Sequence, residues 1–173
     1  YVASLAGLLP ATPGHSHQSV RDISALGSIP GLTMIEPSCE EEMRMALRWA
    51  VYENKESTYI RVCNVPAEIS YSLPEKYALK AGRGVFLKKG KDVAIIAYGP
   101  VMLEQAMQAA EMFKADGCSA AVINFPWLNR VDKLWLRRNL ARFQMVVTLD
   151  DHYVEFGQGK MIAVVLSRLL ETR

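Results

Sequence analysis

Short apolar runs alternate along the chain with longer stretches of helical period, the pattern of βα units that feed a largely parallel sheet. Tyr1–Leu5, Leu32–Glu36 and the β-branched run Ser57–Val62 read as strands. A loop rich in Pro, Gly and His precedes a short helix predicted over Ser19–Leu26. Ser38 with Glu41 three positions on predicts a capping box, which opens a longer helix with Met43, Ala46, Leu47, Ala50 and Val51 inward. Periodicity then fades over residues 65–84, where Pro66, Pro74, Gly82 and Gly84 mark a connection. A second block follows: strand Asp92–Tyr98, a helix with Leu103, Ala106, Met107, Ala110 and Phe113 on one face and Gly117 at its end, strand Ala120–Phe125, helix Val131–Phe143, strand Met145–Asp150 and helix Gly159–Leu170. The pattern predicts an α/β fold of three layers with mostly parallel sheets, right-handed crossovers placing helices on both faces.

Composition narrows the classes of function. Half of the 173 residues are hydrophobic and 22% are charged, the balance of a globular chain. The longest apolar stretches fall far short of the roughly 20 residues needed to cross a bilayer, so no membrane partner is expected. A net charge of +2 with interspersed signs gives no phosphate-tracking stripe, which sets nucleic acid aside. Lys133, Arg137, Arg138 and Arg142 have the spacing of a solvated helix face. Cys39, Cys63 and Cys118 lack metal-ligand spacing and cannot all pair, so they are expected to be core thiols in a cytoplasmic protein. Tyr1-Val-Ala-Ser-Leu begins inside a strand without methionine or leader features, as expected of part of something longer.

Two segments bear on function. Gly14-His-Ser-His-Gln-Ser-Val-Arg-Asp-Ile, followed by Ser28-Ile-Pro-Gly-Leu-Thr-Met-Ile-Glu-Pro, resembles the second half of the transketolase pyrimidine-binding domain, with an ungapped spacing from His17 to Pro30. Leu149-Asp-Asp-His-Tyr-Val-Glu-Phe-Gly-Gln-Gly resembles the acidic-His-Tyr-x-Glu-Gly-Gly-x-Gly signature that opens the last helix of the transketolase C-terminal domain. Tyr59-Ile-Arg-Val and Val93-Ala-Ile-Ile-Ala-Tyr-Gly fit between them in order. The resemblance thus spans the chain and implies the back half of a pyrimidine-binding domain over 1–64, a linker over 65–84 and a complete small C-terminal domain over 85–173. Deoxyxylulose phosphate synthases share most of this pattern and are the close alternative. The β-subunits of 2-oxo acid dehydrogenases are disfavoured, because their spacing to Pro30 differs by about one residue.

The resemblance implies a parent enzyme that moves a two-carbon ketol unit between sugars, using thiamine diphosphate and magnesium held at a dimer interface, with the cofactor as electron sink. The family's cofactor-activating glutamate, the aromatic residue that packs on the pyrimidine and the Gly-Asp-Gly metal segment have no counterpart here. This chain alone is therefore expected to bind no cofactor and to be inactive, working as a homodimer or with a companion N-terminal chain, or serving as a non-catalytic assembly module. Of the sugar pocket, the resemblance carries over His17 as a substrate contact. Leu5, Pro13 and Asn64 fall where the family has a second histidine, an aspartate and a phosphate-gripping arginine. An amide in place of that arginine removes charge-assisted hydrogen bonds worth about 1.5–3 kcal/mol each, so phosphorylated sugars are expected to be poor ligands. Arg61 is the candidate replacement, although its strand position points it to the face opposite Asn64. His15 reads as a solvated loop residue, His152 as structural, and Gly157 and Gly159 as a packing turn.

Overall fold

The structure, a computed structural model, describes residues 1–9 and 14–170. It is α/β, with two sheets side by side. In the first, β1 (Val2–Ala3), β3 (Thr58–Arg61) and β2 (Thr33–Ile35) lie parallel in the order β1-β3-β2. A 3₁₀ turn (Gly14–Ser16) and α1 (Asp22–Leu26) connect β1 to β2, and α2 (Glu40–Tyr52) connects β2 to β3. In the second sheet, β5 (Val93–Ala97), β6 (Ala120–Asn124) and β7 (Met145–Leu149) run parallel, crossed by α3 (Gly99–Ala115) and α4 (Lys133–Leu140), with α5 (Gln158–Leu170) last. Every residue of β5 and β6 is buried, as parallel strands covered on both faces require.

Three expectations are corrected. The strand β4 (Val85–Lys88) lies antiparallel on β6 and was not predicted; it is half-buried, and its register breaks between Phe86 and Lys88. The capping box does not form. Cys39 is the N-cap of α2 without a side-chain cap, and it is Glu42, not Glu41, that accepts from the Ser38 N–H at 2.8 Å, while the Ser38 hydroxyl takes the Asn124 amide at 3.1 Å. The cysteines are free and half-buried; Cys118 packs against the core as expected, whereas Cys39 and Cys63 line a surface pocket instead. The predicted basic face is exposed, although α4 stops at Leu140 and Arg142 lies beyond it against the ring of Phe143.

The two sheets are locked together along the edge of β2. Leu128 donates to the Met34 carbonyl at 2.9 Å and Glu36 donates to that of Pro126 at 2.9 Å, so residues 126–128 extend the first sheet as an antiparallel edge. Asn129 brackets the joint, accepting from Met34 N–H and donating to Leu32 C=O. Trp127, fully buried, meets Trp49 of α2 edge-on at 4.9 Å. Residues 62–84 carry no regular element but are strapped to α2, Tyr71 donating to Ser38 C=O and Tyr77 to the Glu42 carboxylate at 2.6 Å.

Candidate functional site

In an open parallel sheet, ligands gather outside the carboxyl ends of the strands. At the first sheet those ends lead into the loop after β1, Glu36-Pro37-Ser38 after β2 and Val62-Cys63-Asn64 after β3. His17 is exposed on the first of these loops, its Nδ1 3.0 Å from the Ser16 hydroxyl. Asn64 is exposed on the third. Among the described contacts, none joins the two side chains. Leu5 holds a strained φ of 61° on the same rim. Pro13 lies outside the described residues, as does the side chain of His15. A pocket of about 350 Å³ opens at the ends of β2 and β3, lined by Cys39, Met43, Arg61, Cys63, Val65 and Ile69 and not by Asn64, so two thiols face one cavity. Burial pushes the Cys63 thiol up from its ordinary value.

Arg61 is placed differently from the substrate contact named for it. Its side chain has no exposed surface, and it donates to the Asp22 carboxylate (2.9 Å), the Glu36 carboxylate (2.5 Å) and the carbonyls of Ser19 (3.0 Å) and Asp151 (2.7 Å). Those bonds are internal. Tyr59 adds its hydroxyl to Asp22 at 2.9 Å. The hub therefore ties β3, α1, β2 and the segment after β7 behind the rim. Burial opposes the charge on Arg61, but Glu36 and Asp22 outweigh it and hold the guanidinium protonated. Glu36 bears the cost: burial pushes its carboxyl up to about 7, more than Arg61 pulls it down, with Asp151 and Asp22 adding to the rise.

The fold brings its chain unusually close to this hub. A Cβ on Gly7 (φ 82°) would meet Asp151 Oδ2 at 1.7 Å, and one on Gly99 (φ 66°) would meet Glu36 Oε1 at 2.1 Å. The segment after β7 completes the back of the rim. Asp151 accepts from Leu8 N–H at 2.8 Å, Tyr153 N–H donates to Val20 C=O, and His152 packs against Tyr153 with its Nδ1 2.7 Å from that residue's carbonyl oxygen. His152 is buried, with its Nε2 3.4 Å from the Ser24 N–H. Gln158, at the start of α5, gives its amide to the carbonyls of Phe125 and Trp127.

Among the described residues, no three His, Cys, Asp or Glu side chains converge as a metal site. The buried carboxylates are spent internally: Asp22 and Glu36 on Arg61, and Glu42 on Ser38, Asn124 and Tyr77. Among the described residues, these carboxylates therefore offer no clustered oxygen ligands for a metal-bound diphosphate.

The sequence matches the profile of the transketolase C-terminal domain over residues 82–172 and that of the transketolase pyrimidine-binding domain over residues 1–64. The chain belongs to the transketolase family. A putative transketolase C-terminal section from Methanocaldococcus jannaschii is 30% identical over 166 residues, covering 96% of this chain and 51% of that protein. The 1-deoxy-D-xylulose-5-phosphate synthase of Clostridium acetobutylicum is 34% identical over 149 residues, covering 86% of this chain and 24% of that protein. This transketolase-family chain thus spans about half, or about a quarter, of the length of these relatives. Among solved structures, a split-gene transketolase described as an inactive β4 tetramer superposes with a TM-score of 0.83 at 30% identity, over 96% of this chain and 52% of that one. A transketolase variant from Pichia stipitis, at 17% identity and a TM-score of 0.68 over 86% of this chain, shares the fold. No helix among the described residues is long and apolar enough to cross a membrane.

The sequence carries a signal for the hub. An arginine inside the buried run Thr-Tyr-Ile-Arg needs buried acids, and Asp22 and Glu36 stand within the predicted helix Ser19–Leu26 and the predicted strand Leu32–Glu36.

Proposed function

We propose that this chain supplies the C-terminal part of a thiamine diphosphate-dependent enzyme that transfers a two-carbon ketol unit between sugars, and that the cofactor and magnesium are held by sequence outside these 173 residues. The observation that carries the reading is the ordered match to both domains together with the superposition on a split-gene transketolase over 96% of the chain. Here His17 donates or accepts a hydrogen bond to a sugar hydroxyl from the exposed rim, and Asn64 offers a neutral amide where a phosphate would seek a cation. The chain assembles with further copies of itself or with a companion N-terminal chain, and its free, half-buried thiols suit a reducing cytoplasm. Arg61 holds the wall on which these residues stand and does not touch substrate.

The test is reconstitution. The chain, a candidate N-terminal section and their mixture are titrated with thiamine diphosphate and magnesium, then assayed for two-carbon transfer from a ketose to an aldose. Binding and transfer in the mixture alone are expected. Tight cofactor binding by this chain alone would refute the division of labour, and a mixture that neither binds nor transfers would leave an assembly module. The 34% identity to a 1-deoxy-D-xylulose-5-phosphate synthase favours a second reading, which formation of that sugar phosphate by the mixture would establish.

A further inference from the structure

Two thiols that the core does not use meet at one cavity. Cys39 and Cys63 are free and half-buried, and neither enters any of the three core clusters, whereas Cys118 packs against the second. Cys39 is the N-cap of α2, yet its side chain makes no capping hydrogen bond. Both line the pocket of about 350 Å³ at the carboxyl ends of β2 and β3.

The topology brings them side by side. β2 and β3 are adjacent and parallel, with Thr33, Met34 and Ile35 opposite Thr58, Tyr59 and Ile60. The register runs on past β2, since Glu36 is ion-paired with Arg61. Carried two residues further, it brings Ser38 beside Cys63, with Cys39 next in the chain. Neighbouring strands lie ~4.8 Å apart, and an offset of one residue lengthens the Cα separation to about 6 Å, a span that a disulfide bridges. Residues 62–84 carry no regular element, so the loop that holds Cys63 has freedom to bring the sulfurs into bonding geometry. Met43, Val65 and Ile69 make much of the lining apolar. Such surroundings favour a neutral disulfide over a thiolate, and burial already pushes the Cys63 thiol up from its ordinary value.

We propose that Cys39 and Cys63 are a redox modification site, a thiol pair that closes to a disulfide across this pocket when the chain meets a hydroperoxide. The Cys39 sulfur attacks one peroxide oxygen, the O–O bond breaks, and a sulfenic acid forms with release of one water. The Cys63 sulfur then displaces the sulfenic oxygen as a second water while the S–S bond forms. The two thiols give up two electrons and two protons, and hydrogen peroxide takes them to become two waters. Exchange with an external dithiol reverses the reaction. The bond ties the loop after β3 to the start of α2 and closes the cavity where an open parallel sheet gathers its ligands. Nothing in this depends on two-carbon transfer.

Peptide mapping by mass spectrometry tests it. The full chain is reduced, exposed to stoichiometric hydrogen peroxide, alkylated and digested. A cross-linked peptide joining Cys39 to Cys63 within one chain is expected, with Cys118 alkylated, and dithiothreitol should return all three thiols. Cys39→Ser and Cys63→Ser should each abolish the bridge, and Cys118→Ser should leave it. Amide hydrogen exchange over residues 63–69 should slow by about tenfold or more in the oxidised chain and recover on reduction. A wild type that keeps three alkylatable thiols, that pairs either thiol with Cys118, or that forms disulfides only between copies overturns the proposal. A bridge that leaves exchange over 63–69 unchanged overturns the closing of the pocket.

Discussion

Replacing Glu36 by Gln isolates the most unusual group in the hub. Glu36 faces Arg61 from β3, Asp22 from α1, Asp151 from the segment after β7, and the buried ring of Tyr98. Burial places its carboxyl at about 7 in the fold, against an ordinary 4.5. Because the folded value is the higher one, the native state keeps a proton that the unfolded chain has released. The contribution of Glu36 to stability is therefore complete below the ordinary value and is lost as pH rises through about 7. At about 1.36 kcal/mol per pH unit, the gap amounts to on the order of 3 kcal/mol. For an m-value of about 2 kcal/mol/M, this moves the urea midpoint by roughly 1.5 M. Urea unfolding between about pH 5 and pH 8, wild type against Glu36→Gln, is the assay, and subtraction removes the shared titration of other groups. The wild type should lose stability relative to the variant as pH rises. A difference that stays flat would mean that Glu36 is not shifted, and one in which the wild type gains would mean that Arg61 overcomes burial.

Arg61→Met should destabilise by about 3–5 kcal/mol, because it leaves Asp22 and Glu36 buried without a cation, and adding Asp22→Asn should recover part of the loss in the same urea measurement. Gly99→Ala should cost at least about 2 kcal/mol by thermal unfolding, since strain adds to the clash with Glu36; Gly117→Ala, also at positive φ but with open space around it, should cost about 1 kcal/mol. Asn64→Arg, at an exposed position, should leave stability unchanged and raise kcat/KM for phosphorylated over unphosphorylated sugars by about 10- to 100-fold in a reconstituted enzyme, through one restored charge-assisted contact. An equal change for both substrates would show that Asn64 does not face the phosphate.

The legible parts of the fold were those where local pattern and tertiary demand agree. β5 and β6 announce themselves because parallel strands buried on both faces must be apolar throughout. β4 does not, since an edge strand of four half-buried residues with a register break has neither a continuous run nor clean alternation. Ser38 was legible as a cap, yet Asn124, 86 residues away, claims its hydroxyl and leaves the cap position to Cys39. His17 and Asn64 stand on exposed loops after β1 and β3, which the strand pattern alone already placed there. The role of Arg61 was not legible, because its partners lie 39, 25 and 90 residues away, at Asp22, Glu36 and Asp151.

Those long separations explain how so small a sheet can hold its shape. A sheet of three strands of two to four residues is marginal by itself. Here its edge is extended by residues 126–128, its helix α2 is held by Trp127 and Asn124, and the loop after β1 is held by Asp151. All of these come from the second sheet and its connections. The residues on the rim are therefore positioned less by their own sheet than by the neighbouring one. A substitution such as Gln158→Leu, which frees the carbonyls of Phe125 and Trp127, would reach His17 and Asn64 through the joint without touching either. Arg61, bonded to the Asp151 carbonyl as well as to Asp22 and Glu36, is the buried side chain through which β3 meets the segment after β7.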